Sequence, residues 1–173
     1  MAKKRAIPLV DLAQFTKGDE KAKKAFIKKL GNAFHDIGFV GVVNHGIPKA
    51  LVKKFYSESQ AFFALPVEKK KKYEIAGLAG QRGYTSFGKE HAKQSNVGDL
   101  KEFFQIGQEV EGKDAIKKEY PKNVYVRERP EFLATGKKLY KSFEKSGGHL
   151  LKAISIHLSL GDTYFASKIK NGN

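Results

Sequence analysis

The feature that most constrains this chain is the apolar run that begins at Pro130. Phe132/Leu133, Gly136, Leu139/Tyr140, Phe143, Gly147, Leu150/Leu151, Ile154 and Leu158 recur every three or four residues. That is the spacing of a helix with one buried stripe. A stripe this long is stable in water only against an apolar surface of matching length, which the rest of the fold has to supply. Gly147-Gly148 interrupts it at about 1 kcal/mol per glycine relative to Ala, so a close neighbour or a kink is expected there.

The preceding sequence offers more helix than sheet. Ile7-Pro-Leu-Val-Asp-Leu12 reads as a short strand that Pro8 confines to a sheet edge or a strand start. Thr16 and Asp19 bring N-cap chemistry. Ala22, Phe26, Leu30, Ala33/Phe34 and Ile37 then predict an amphipathic helix over 19–36, ended by Gly38. Phe39-Val-Gly-Val-Val43 suits a buried strand. Leu51/Val52, Phe55, Ser59 and Phe62/Phe63 mark a second helix after Pro48, and Pro66 restarts a short charged one through Tyr73. Glycine is dense over 76–100. Gly83–Phe87 and Glu102–Ile106 read as further strands, 111–129 as a surface loop, and Asp162 as the cap of a last helix through Lys170. So few strands among these helices give an α+β class whose sheet partners lie outside the chain.

Composition narrows the function. The 33 basic and 18 acidic residues leave a charge of +15, which suggests an anionic partner. All but Arg5, Arg82, Arg127 and Arg129 of those cations are lysine, however, and arginine supplies the bidentate contacts of sequence-reading interfaces. Lys23, Lys24, Lys28 and Lys29 fall opposite Ala22, Phe26 and Leu30, as a solvated helix face does. Nucleic acid is therefore not the expected partner, although Lys69–Lys72 is suited to weak contact with a polyanion. Zero cysteines exclude a disulfide scaffold, thiolate zinc, iron–sulfur clusters and a cysteine nucleophile. No apolar run approaches the roughly 18 residues of a membrane span. The basic Met1–Arg5 leads into Ile7-Pro-Leu9 rather than a signal-peptide core, so a cytoplasmic protein is expected.

Motifs for chemistry are sparse. A facial-triad iron site begins with His-x-Asp/Glu, whereas the five histidines read His35-Asp-Ile, His45-Gly-Ile, His91-Ala-Lys, His149-Leu-Leu and His157-Leu-Ser. His149 and His157 nearly share a helix face among leucines, as core or boundary histidines. His45, between a strand and a helix, suits a hydrogen bond to backbone. Gly77-x-x-Gly80-x-x-Gly83 lacks the spacing and flanking elements of a dinucleotide loop. Arg82-Gly-Tyr-Thr-Ser-Phe87 opens like an RNA-recognition strand but departs at Thr85 and Ser86. No nucleophile elbow occurs.

Five strings occur in order: Ile7-Pro-Leu-Val-Asp-Leu12, Gly38-Phe-Val-Gly-Val-Val-Asn-His-Gly-Ile-Pro48, Phe62-Phe-Ala-Leu-Pro-Val-Glu-Lys69, Gly80-Gln-Arg-Gly-Tyr84 and Asp99-Leu-Lys-Glu-Phe-Phe104. This succession, over nearly the whole chain, resembles the N-terminal region of the isopenicillin N synthase-like, 2-oxoglutarate- and Fe(II)-dependent oxygenases, particularly the bacterial ones. The positions near Phe104 and Tyr125, often Trp in that family, carry Phe and Tyr here, which keeps the packing role.

The resemblance implies the helical N-terminal portion of a double-stranded β-helix (jelly-roll) oxygenase, with the jelly-roll core largely missing. Residues 1–129 would be the dioxygenase N-terminal domain. Residues 130–173 would be the long helix and a lead-in, through Asn171-Gly-Asn173, to the catalytic jelly roll. The family's iron ligands, a His-x-Asp pair and a distant His, lie on that jelly roll, as does the Arg-x-Ser that grips 2-oxoglutarate. The parent enzyme would oxidise a small organic substrate with O2, Fe(II) and 2-oxoglutarate, although ring-closing members dispense with the last. This chain would hold no metal or cofactor and be inactive and marginally folded alone, its jelly roll continued in sequence or carried by a separate chain. Arg82, Tyr84 and Phe104 would border the substrate entrance, the alternatives being a surface Arg, a core or edge Tyr and a core Phe. The alternative is a Lys-rich binding module contacting nucleic acid or a protein partner.

Overall fold

The structure is a computed structural model that describes residues 6–94, 96–110 and 115–169. Arg5, Lys170 and the lead-in Asn171-Gly-Asn173 lie outside the described residues. The described chain is mixed helix and sheet with few strands and separates into two compact units. One comprises the residues up to Ile47 together with those from Ser142 onward; the other is Pro48–Lys141.

In the first unit β1 (Leu9–Asp11) pairs in parallel with β2 (Gly41–Val43), Val10 opposite Val42. Between them run α1 (Leu12–Thr16) and α2 (Glu20–Asp36). The Asp11 carboxylate ends β1 and starts α1, accepting from the Ala13 N–H at 2.9 Å and from Asn44 Nδ2 at 2.9 Å. Gly41 faces Leu9 so closely that a Cβ there would lie 2.3 Å from Leu9 Cδ2. Asp19 caps α2 through the Ala22 N–H at 2.8 Å. Gly38, at φ +81°, closes it by donating to the Ala33 and Phe34 carbonyls. Phe26 and Leu30 then meet Val10, Leu12, Phe15 and Ala153 in one apolar cluster. Ala153 comes from α5 (Pro130–His157), which contributes its residues from Ser142 onward to this unit. Asp162, just ahead of α6 (Tyr164–Ile169), pairs with Lys152 at 2.8 Å.

The second unit is built on α3 (Lys49–Phe63), α4 (Val67–Lys71) and an antiparallel pair, β3 (Gly83–Thr85) with β4 (Phe103–Gln105). Tyr84 stands opposite Phe104 in that pair. Phe62 is wholly buried and meets Phe63, Tyr73, Tyr84, Phe104 and Phe132 with ring centroids 5.0–6.2 Å apart. Gly136 of α5 admits Ile106 and Phe55, since a Cβ there would sit 2.4 Å from Ile106 Cδ1.

Three expectations need correction. The strands are shorter than the apolar runs suggest, and Leu12 already begins α1. Within the expected surface loop, Val124 and Val126 alternate inward and join the aromatic cluster, Val126 with 0% exposure. The α5 helix continues through Gly147-Gly148, and a Cβ at either glycine would meet nothing within 4 Å among the described residues. That stretch of the helix is open, with Phe143 exposed nearby and Ile156 and Leu158 exposed farther along. No described helix is long and apolar enough to cross a membrane.

Candidate functional site

The three residues singled out from sequence all sit in or beside the β3–β4 pair, but their side chains do different things. Phe104 packs edge-on against Phe62 at 5.0 Å and Phe132 at 4.9 Å, as part of the aromatic core. Tyr84 is 2% exposed and donates its hydroxyl to Glu102 Oε2 at 2.5 Å. Burial pushes the Tyr84 phenol well above its usual range, and the adjacent Glu102 carboxylate adds to the shift. It is a neutral donor throughout the physiological range.

Lys70 completes that cluster. Its ammonium is buried, 2.7 Å from Glu102 Oε2 and 3.0 Å from the Phe63 carbonyl, and it stands 5.6 Å from the Tyr84 ring centroid. A carboxylate that receives both an ammonium and a phenol is well satisfied for a buried charge. Lys69–Lys72 is therefore not a continuous cationic face, because Lys70 belongs to the core. Period-two alternation places Glu102 on the same face as Phe104, the one sequence signal that could have revealed its burial.

Arg82 is the odd member. The residue is 4% exposed, yet no carboxylate pairs with it among the described residues. Nη1 donates to the Gln81 carbonyl at 2.7 Å, Nη2 reaches the Gln108 carbonyl at 3.5 Å, and Nε has no partner. The guanidinium lies against Gly107, where a Cβ would fall 2.0 Å from Cζ. Gly107 cannot shift to relieve that, because Asn123 holds its N–H and its carbonyl at 2.9 Å each. Arg82 also lines a cleft of about 130 Å³ with Glu74, Gly80, Thr85, Lys89 and Glu90. Ala79, another residue of its lining, holds φ +45°, a conformation that costs a non-glycine residue about 1 kcal/mol or more. Burial works to raise the Glu74 carboxyl, but Lys89 and the Ser86 N–H outweigh it and hold the group below its ordinary value.

The described residues do not fit an iron centre. No three His, Cys, Asp or Glu side chains converge among them. The histidines have other occupations: His45 Nδ1 accepts from the Ile47 N–H at 3.1 Å, as its position suggested, His35 pairs with Asp36, and His157 lies over Gly31. Arg129 is committed to Glu58 at 2.9 Å; of the two cations lining the cleft, Lys89 pairs with Glu74, and Arg82 pairs with no carboxylate among the described residues.

Residues 7–128 match the family described as the N-terminal region of a non-haem dioxygenase in morphine synthesis. The chain is 30% identical to the proline hydroxylase buaE of Petromyces alliaceus, over 91% of this chain and 49% of that protein. It superposes on a Caulobacter crescentus protein assigned to the 2OG-Fe(II) oxygenase family with a TM-score of 0.81 and 33% identity, over 93% of this chain and 51% of that one. Against a full-length Neurospora crassa protein solved in complex with alpha-KG the TM-score is 0.80 at 25% identity, over 99% of this chain and 53% of that one. The chain spans about half or less of the length of the curated relatives it matches.

Proposed function

The chain belongs to the non-haem dioxygenase N-terminal family, and from that premise we propose that it is the N-terminal part of an oxygenase that oxidises a small organic substrate with Fe(II), O2 and 2-oxoglutarate. The observation that carries this reading is the likeness, over 99% of the chain, to about half of a protein solved with alpha-KG. Residues 1–129 are the N-terminal domain in this reading, and 130–173 the long helix and lead-in to a jelly roll. The iron and 2-oxoglutarate ligands come from that jelly roll, either farther along the same gene product or on a separate chain. Arg82, Tyr84 and Phe104 then serve the substrate side: Arg82 from the cleft, Tyr84 and Phe104 by fixing the β3–β4 wall behind it.

The exposed Phe143, Ile156 and Leu158 of α5, and Leu9 and Val43 on the β1–β2 pair, support the same reading as surfaces that jelly-roll strands would cover. Each such side chain left in water forgoes on the order of 1.5–3 kcal/mol, comparable in sum with the roughly 5–15 kcal/mol that holds a domain together. Residues 1–173 alone are accordingly marginal in stability, prone to associate, and inactive.

The test is to read the coding DNA past Asn173 and its neighbouring frames for a His-x-Asp and distant-His set. The product that includes it is then assayed for Fe(II)-dependent release of succinate from 2-oxoglutarate. Turnover by the longer or co-expressed product, with none from residues 1–173, is the expected result. Stoichiometric, chelator-reversible Fe(II) binding by residues 1–173, or the absence of any such ligand set in the locus, overturns it.

A further inference from the structure

We propose that the exposed face of α2 is a docking surface for an acidic polypeptide segment, one whose carboxylates repeat every three or four residues. Helical spacing sets Lys21, Lys24 and Lys28 in one row about 10 Å long, and all three are exposed. Exposed Asn32 and His35 extend the same face, opposite the buried Phe26, Leu30 and Ala33. Several lysines elsewhere hold a carboxylate, as Lys54 does Glu131 and Lys101 does Glu90. The row on α2 does not. The two carboxylates of that helix are engaged by other groups, Glu20 by Lys23 at 3.3 Å and Asp36 by His35 at 2.8 Å. No carboxylate pairs with Lys21, Lys24 or Lys28 among the described residues.

Such a row costs the free chain stability. Lys21 and Lys24 stand three residues apart, and Lys24 and Lys28 four, where like charges repel across a helix surface. A partner that brings carboxylates at the same intervals replaces each repulsion with a pair. The chemistry of the face selects that partner. The α2 helix carries no arginine, so the planar, bidentate grip on phosphates and base edges is missing. Between Lys21 and Lys28 the exposed residue other than lysine is Ala25. The exposed ring of this helix, Phe34, lies about 110° round it from the lysine row. The face therefore offers nothing to stack on a base or to enter a bilayer. Three ammonium groups on flexible stems, spaced along one line, suit carboxylates spaced along another.

Fluorescence anisotropy tests this with a labelled helical peptide whose glutamates are spaced i, i+3 and i+7. The protein is the monomeric fraction of the 173-residue chain or, where that associates, the longer product described above. Neither iron nor 2-oxoglutarate enters the measurement, so its outcome is independent of the oxygenase reading. The peptide is expected to bind saturably at low ionic strength and to weaken as the screening length shortens to about 8 Å at physiological salt. Lys21→Gln, Lys24→Gln and Lys28→Gln together are expected to lower its affinity by about tenfold or more. The same triple variant should melt at an equal or higher temperature, because the repulsion is gone. An equal charge change spread over Lys53, Lys93 and Lys122, exposed on the other unit, should cost less than about threefold. Equal losses in the two variants would assign binding to the net charge of +15 and end the proposal. So would the absence of saturable peptide binding at low salt, or equal binding of a peptide with its glutamates scrambled. Tighter binding of duplex DNA or of phosphatidylserine vesicles than of the peptide overturns the partner class.

Discussion

Around Phe26 and Leu30 the interior is almost purely apolar: Val10, Leu12, Phe15 and Ala153 close on it, and the buried polar side chains of that unit, among the described residues, are Ser146, which donates to the His45 carbonyl, and Ser155, whose hydroxyl has no partner. Around Phe62 the interior is a mesh of rings with charges set into it. Lys70 meets Glu102 there, Arg129 meets Glu58, and Arg82 lies on carbonyls. The first arrangement is tolerant, because apolar contacts are non-directional. The second is exacting, because each buried charge needs its particular partner. The cleft lies in the exacting unit, where side-chain positions are most tightly determined.

The largest blow to this contrast would come from Phe62→Ala, expected to destabilise Pro48–Lys141 by about 4 kcal/mol and to raise amide hydrogen exchange in that unit while sparing α2. Equal loss of protection in both units would show that the two cores are not separately sustained. Glu102→Leu comes next, at about 3 kcal/mol, since it strands a buried ammonium and a phenol. Adding Lys70→Met should recover part of that loss in urea denaturation. No recovery would mean the pair matters through shape, not charge.

Acid should reach the charged unit first. The Glu74 and Glu109 carboxyls both lie below the ordinary 4.5. For Glu109, burial again works upward and is outweighed by Lys137 and Asn123. A carboxyl lowered in the folded state contributes stability that is full above its unfolded value and disappears as pH falls through its folded value. Below about pH 4.5 the near-ultraviolet circular dichroism of Tyr73 and Tyr84 should therefore decay before the far-ultraviolet helix signal. Simultaneous loss of the two signals would count against the distinction. The smallest effect runs the other way: Ser155→Ala removes a buried hydroxyl with no partner and should stabilise by about 1 kcal/mol in a thermal or urea melt.

The same contrast governs how much could be read from sequence. Apolar spacing marked α2 and α5 well, and Asp19 and Gly38 marked the ends of α2, because those features arise from local periodicity and local hydrogen bonds. The α1 helix escaped, since five residues carry too little period to register. In the aromatic unit the informative contacts are between distant segments. Lys70 looked like one solvated lysine among four, and nothing local tells that Glu102, on another segment, will meet it. Val124 and Val126 were hidden in a polar stretch. Tyr84 and Phe104 were found through the family resemblance, and the core alternative for each describes how they pack. Arg82 was found the same way, while the role of Gly107 and Asn123 in seating it depends on a contact no spacing rule describes.

The composition of the first unit also has a consequence for the order in which the protein is made. Its cluster needs Ala153, Leu150 and Ile154 from α5 to close over Phe26 and Leu30, and a ribosome delivers those residues only after all of Pro48–Lys141 has been translated. The aromatic unit is one unbroken stretch of chain and can complete its interior while synthesis continues. Nascent Phe26 and Leu30 meanwhile have only Val10, Leu12 and Phe15 to pack against and lack their α5 cover, so residues translated early are among the last to be fully buried, and α2 is open to chaperones or to premature association during translation.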